Sequence, residues 1–204
     1  MRAAALAFVF IVLPGLGLAQ MGNPGFMGPD TRFEVGGMPA PNQTNATDRL
    51  FAQLATEGGM AEIVLGKLAT ERAGSAAVGD FARRMMHDHS GANDKLAKVA
   101  EKSRIPLPGD LNAEHAAMRD RLMKLDGPAF DLAYIRGQVV DHQKTTQLLI
   151  WEINSGQDAE LQQLAATTLP KILEHLRLAR GIATDLSRDT VAKPAATPRN
   201  EQPN

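Results

Sequence analysis

Apolar residues recur every three or four positions from about residue 46 to residue 186, and this spacing is typical of amphipathic helices. No segment shows a sustained two-residue alternation, so no β-sheet is expected. The predicted fold class is all-α, a four-helix bundle with a short extra helix in the connection between the second and third long helices. The helices are expected at about 47–73, 75–104, 113–125, 128–154 and 158–186.

The segments outside the bundle have different compositions. Arg2 precedes an apolar run over residues 3–12, and small residues lead to a cleavage position after Ala19, so residues 1–19 are predicted to be a signal peptide. An uncleaved membrane anchor is the alternative. Residues 20–45 are rich in Gly, Pro and Asn and are predicted to be a flexible linker, and residues 187–204 a disordered tail.

The whole-chain composition excludes several classes of function. The chain has no cysteine, which excludes disulfides, thiolate metal sites and a cysteine nucleophile. Its 22 Lys and Arg balance 23 Asp and Glu and are interspersed, so a nucleic-acid partner is not expected. It has no phosphate-binding loop or nucleophile elbow, and a conventional hydrolase is not expected. The mature chain is predicted to lie in the periplasm or cell envelope without a transmembrane anchor.

Three long helices each place a histidine within the apolar stripe, near the middle of the helix: His89, His142 and His175. The first helix carries two competing stripes, and one of them turns Glu62 inward. At 1.5 Å per residue, Glu62 and His89 both lie roughly 18 Å from the turn at Gly74, so the four side chains are expected in one central layer.

Two interpretations of this layer are open. In the first, the histidines form a buried polar network with Glu62, Tyr134 and Asp141. In the second, His89, His142 and His175 bind one transition metal ion, Zn, Cu or Fe, through neutral imidazoles, with Glu62 as a fourth ligand. Tyr134 and Asp141 then support the site.

Five short runs resemble the domain-of-unknown-function 4142 family over about residues 47–184: Gly59-Met-Ala-Glu62, Phe81-Ala-Arg-Arg-Met-Met-His-Asp-His89, Phe130-Asp-Leu-Ala-Tyr134, Asp141-His142 and Leu169-Pro-Lys-Ile-Leu-Glu-His175. The members are exported bacterial ferritin-like proteins, often labelled outer membrane proteins. The resemblance implies a ferritin-like bundle and export, and it implies no activity.

The sequence departs from the di-iron bundles that the ferritin-like label suggests. Those sites use Glu-x-x-His on two helices, whereas Met86, Val139 and Ile172 occupy the corresponding glutamate positions here. The expected function is therefore that of an exported cell-envelope bundle with a structural, interaction or stress-related role. The alternative is a metal-binding ferritin-like protein. The sequence leaves open whether the second connection crosses the bundle lengthwise or folds back locally.

Overall fold

The structure, a computed structural model, describes residues 39–192, with side chains through Arg188. The predicted signal peptide, the linker up to residue 38 and the tail beyond residue 192 lie outside the described residues. Five helices follow in order: α1 (Ala46–Arg72), α2 (Ala76–Lys102), α3 (Ala113–Leu122), α4 (Gly127–Ser155) and α5 (Ala159–Ala192). The all-α prediction is confirmed, and each helix begins within one residue of its predicted start.

Local sequence signals set the helix starts. The Asn45 side chain accepts a hydrogen bond from the backbone N–H of Asp48, and the Asp48 carboxylate accepts one from the Asn45 N–H, which is a capping box. At the start of α3 the Asn112 side chain accepts a hydrogen bond from the His115 N–H and so caps the helix. Asp158 accepts from the first N–H groups of α5. These polar side chains satisfy donors that a helix leaves unpaired at its start.

The connection between α2 and α4 runs the length of the bundle. A backbone bridge joins Ala73 to Gly127, so α4 begins beside the end of α1. At the other end, Lys102 pairs with Glu160, which places the end of α2 beside the start of α5. Residues 103–126, which include α3, must therefore cross lengthwise, as in ferritin-like folds with one crossover.

The four long helices enclose one core. Neighbouring pairs are α1 with α2, α4 with α5, α1 with α4, and α2 with α5. The largest buried apolar side chains include Phe51, Leu65, Met85, Phe130 and Ile135. Over residues 39–192 no strand forms beyond isolated bridges, and no helix there combines the length and apolarity that a membrane crossing requires.

Candidate metal centre

Three histidine rings meet at the middle of the bundle core. The ring centroids of His89 and His142 are 5.6 Å apart, those of His89 and His175 are 5.6 Å apart, and those of His142 and His175 are 5.4 Å apart. His142 and His175 are 1% and 0% exposed, and His89 is 7% exposed. The predicted meeting of the three histidines is therefore what the structure shows.

In two of the rings, a hydrogen bond determines which nitrogen keeps a free lone pair. Nδ1 of His142 lies 2.9 Å from the backbone carbonyl of Gln138, an acceptor, so Nδ1 carries the proton. Nε2 of His175 lies 2.8 Å from the carboxylate of Asp88 and donates to it. The remaining nitrogens, Nε2 of His142 and Nδ1 of His175, are buried without a hydrogen-bond partner, as is Nε2 of His89.

All three imidazoles are neutral at physiological pH. Burial lowers the pKa of His89 to about 3, assisted by the neighbouring histidines. Burial lowers the pKa of His142 to about 4, against the opposing effect of the Gln138 carbonyl. Burial also lowers the pKa of His175, and Asp88 only partly compensates. Neutral imidazole is the form that binds metals, because its unprotonated nitrogen keeps a lone pair.

The three rings fit a single metal ion. One ligand atom from each histidine lies within 4.8 Å of the others, and no other set of three or more His, Asp or Glu side chains converges in this way among residues 39–188. Three nitrogen atoms at that separation all lie within about 2.8 Å of a common centre, whereas a Zn–N bond is about 2.0–2.1 Å long. Shifts below about 1 Å per side chain would complete the coordination.

Glu62 lies beside this triangle. It is 5% exposed, and its Oε1 is 3.8 Å from Nδ1 of His142, too far for a hydrogen bond. Burial raises the pKa of Glu62 to about 8, and the charge of Asp141 adds to the rise while Gln138 opposes it. The Glu62 carboxyl therefore lies near Nδ1 of His142, which already donates a hydrogen bond to the Gln138 carbonyl. Glu62 does not belong to the group of converging ligand atoms.

The two residues predicted to support the site, Tyr134 and Asp141, have different surroundings. Tyr134 is buried in an aromatic cluster with Phe81 and Phe130, and its hydroxyl has no hydrogen-bond partner. Burial, with the charge of Glu62, raises its pKa well above the usual value. Asp141 is buried too, burial raises its pKa, and its neighbours are Lys144 on α4 and Glu114 and His115 on α3.

The sequence reasoning missed Asp88 and Gln138. Asp88 is adjacent to His89, so on α2 alone it points away from the stripe, and only the packing of α5 brings it to His175. Lys171 and Arg84 also contact Asp88. Burial alone would raise the pKa of Asp88, and the hydrogen bonds from His175 and Lys171 outweigh burial and lower it.

A second buried polar cluster, also missed, lies at the end of the bundle where α1 begins. Asp48, Glu152 and Asp158 are each 0% exposed. Asp48 accepts hydrogen bonds from the backbone N–H groups of Asn45, Gln157 and Asp158. Burial first, and then Asp48 and Asp158, raise the pKa of Glu152 to about 9. Glu152 is therefore a neutral acid at physiological pH.

Comparison with known proteins identifies a family and a similar fold. The family described as "Domain of unknown function (DUF4142)" matches residues 34–182. The crystal structure of a DUF305 fragment from Deinococcus radiodurans is similar, with a TM-score of 0.62 and 16% identity over 71% of this chain and 98% of that fragment. At this identity the likeness concerns the fold alone. No curated protein matches the chain.

Proposed function

Because the chain belongs to the DUF4142 family, a domain of unknown function, its role must be argued from its own site, and we propose that it binds one transition metal ion through His89, His142 and His175. One observation carries the proposal: each ring has a buried nitrogen without a hydrogen-bond partner. Leaving such groups unpaired costs about 1–3 kcal/mol each, and a metal ion satisfies all three.

The donor set favours Zn, Cu or Fe. Neutral imidazole suits these ions, and of the divalent first-row metals Cu²⁺ binds a given nitrogen site most tightly. A two-metal centre of the ferritin type has no support, because bridging carboxylates are absent from the described cluster of three histidines. The proposal is therefore a mononuclear site.

The surroundings of the rings suit a metal ligand set. His142 donates to a backbone carbonyl and His175 to a carboxylate. Metal-binding histidines usually donate their second nitrogen to such acceptors, which fixes the ring orientation and makes the ligating nitrogen more basic. In this arrangement Asp88 also supplies a negative charge near a buried cation. We assign Glu62 a place beside the site, as a nearby acid that could complete the coordination only by moving.

The test is elemental analysis of the mature protein, purified without a histidine tag or chelator. About one Zn, Cu or Fe per chain is expected for the wild type. Replacing His142 with Ala removes a ligand and should reduce the metal content to background. His87→Ala is the matched control, because His87 lies on the same helix as His89 but is exposed.

The competing function is a metal-free structural bundle in which the histidines form a polar network. It is favoured by the contacts of His142 and His175 with Gln138 and Asp88. It predicts background metal in the wild type and no rise in melting temperature when Zn, Cu or Fe is added. Equal metal content in the wild type and in His142→Ala would also contradict the metal site.

We also retain export to the periplasm or cell envelope as a proposal, supported by the apolar run and small residues that precede Gln20. N-terminal sequencing of the protein from an envelope fraction should begin at Gln20. A chain that retains Met1 and remains with the cytoplasmic fraction would contradict it.

A further inference from the structure

A small cavity lies against the histidine triangle on the side of the bundle where α1 begins. Its volume is about 50 Å³, and His89 forms part of its wall. The other walls come from all four long helices and include Phe51, Leu96, Leu149 and Ile172. The cavity therefore adjoins His89, one of the rings assigned to the metal, and Asp88 is not among its lining residues.

The metal proposed above would keep an open coordination position. Only three protein nitrogens converge, and three protein ligands with a free fourth position are typical of catalytic rather than structural metal sites. Glu62 is held near Nδ1 of His142, outside the converging group. The fourth position is thus left to a molecule from outside the chain.

The size and lining of the cavity limit that molecule. A cavity needs about 10–15 Å³ of water-accessible volume to hold one water molecule, so this cavity has room for a ligand of only a few atoms. None of the lining side chains carries a full charge, and its polar groups are Asn93, Thr145 and Thr168 besides His89. Apart from the metal ion itself, an anion would find no cationic partner there and would lose its hydration, while an uncharged molecule would lose little on entering.

We propose that the metal centre takes a small uncharged ligand, of diatomic or similar size, which reaches the open position through this cavity. This inference rests on the proposed metal site. It names the class of molecule that the site binds: small, neutral and able to donate an electron pair to a metal.

Gly58 on α1 offers a way to close the cavity without touching a histidine. It is half-buried and lines the cavity, and a Cβ added there would meet no atom within 4 Å. Helical side chains lean toward the preceding turn, which here carries Ala55, another lining residue. A leucine at position 58 would therefore extend into free space at the cavity.

The experiment uses the mature protein loaded anaerobically with Cu(I) and exposed to carbon monoxide. Infrared spectroscopy should show the C–O stretch of a copper carbonyl in the wild type. Gly58→Leu should bind copper equally and bind carbon monoxide about tenfold more weakly or more slowly. Gly181→Leu is the matched control, since Gly181 is exposed on α5 with no atom near an added Cβ, and it should behave like the wild type.

Two further probes test the size and charge of the ligand. tert-Butyl isocyanide has the same donor atom as carbon monoxide and is larger than the cavity, so it should not bind. Azide is an anion and should not displace carbon monoxide. Binding of the isocyanide as tight as that of carbon monoxide, or displacement by azide, would overturn the assigned ligand class.

The outcomes separate the two proposals. If the wild type binds no copper, the metal site itself is wrong. If copper binds and no carbonyl forms, or if Gly58→Leu responds like the wild type, the metal site stands and the cavity route is wrong. Ala92→Leu, which fills the cavity from α2, provides a second blocked variant in case Gly58→Leu does not fold.

Discussion

Replacing Glu152 with Gln tests the electrostatics of the bundle end. Glu152 is 0% exposed, and its pKa is raised from 4.5 to about 9. The folded protein therefore holds a proton that the unfolded chain releases above pH 4.5. The stability that Glu152 contributes is fully present below that pH and is lost as the pH rises toward about 9. The amide of the Glu152→Gln variant would keep the shape and a donor toward Asp48, and it would have no proton to lose.

The magnitude follows from the linkage between protonation and folding. In this interval each pH unit costs the wild type about 1.4 kcal/mol that the Gln variant does not lose. From about pH 6 to about pH 8 the stability difference should therefore move by about 3 kcal/mol in favour of Glu152→Gln. Titrating groups away from Glu152, such as Glu62, are present in both proteins and cancel in the comparison.

Urea unfolding of both proteins at several pH values gives the difference directly. Glu71→Gln is the control, because Glu71 lies on α1 and is exposed. It should change stability by less than about 0.5 kcal/mol at every pH. A stability difference between the wild type and Glu152→Gln that stays constant from pH 6 to pH 8 would refute a protonated Glu152.

Two further predictions concern the metal surroundings and the helix packing. Asp88→Asn removes the charged acceptor of His175 and should weaken metal binding about 10- to 100-fold in a competition titration. Asp94 is exposed on the same helix, so Asp94→Asn should leave the affinity unchanged. Equal metal affinities of Asp88→Asn and the wild type would show that Asp88 does not support the site. Gly66→Ala places a Cβ 3.2 Å from the Ala82 carbonyl oxygen and should lower the free energy of unfolding in urea by about 1–3 kcal/mol. Gly58→Ala has free space around its Cβ and should raise that free energy by up to about 1 kcal/mol. An increase for both variants would contradict the close approach of α1 and α2.

The helices were predictable because their signals are local. Apolar spacing, Asn112, Pro128 and Asp158 act within one or two turns and mark the helix bounds. The lengthwise crossover was not predictable, because it depends on which ends of separate helices pack together. In the structure, the bridge between Ala73 and Gly127 and the ion pair between Lys102 and Glu160 show which ends meet.

The histidine layer was predictable and its partners were not. His89 and His175 occupy apolar stripes, so their burial follows from spacing alone. In α4 the buried face includes Gln138 and Glu152, while the apolar Val139 of the same helix is only half-buried. Hydrophobic periodicity does not detect polar residues that a core accepts through hydrogen bonds or protonation.

The crossover divides the chain into two hairpins, and each contributes to the histidine triangle. His89 belongs to the α1–α2 hairpin, whereas His142 and His175 belong to the α4–α5 hairpin. An ion bound by all three would join the two hairpins, so the halves of the bundle could part only if its bonds to one hairpin broke. Amide hydrogen exchange in the core should therefore slow when the ion is bound.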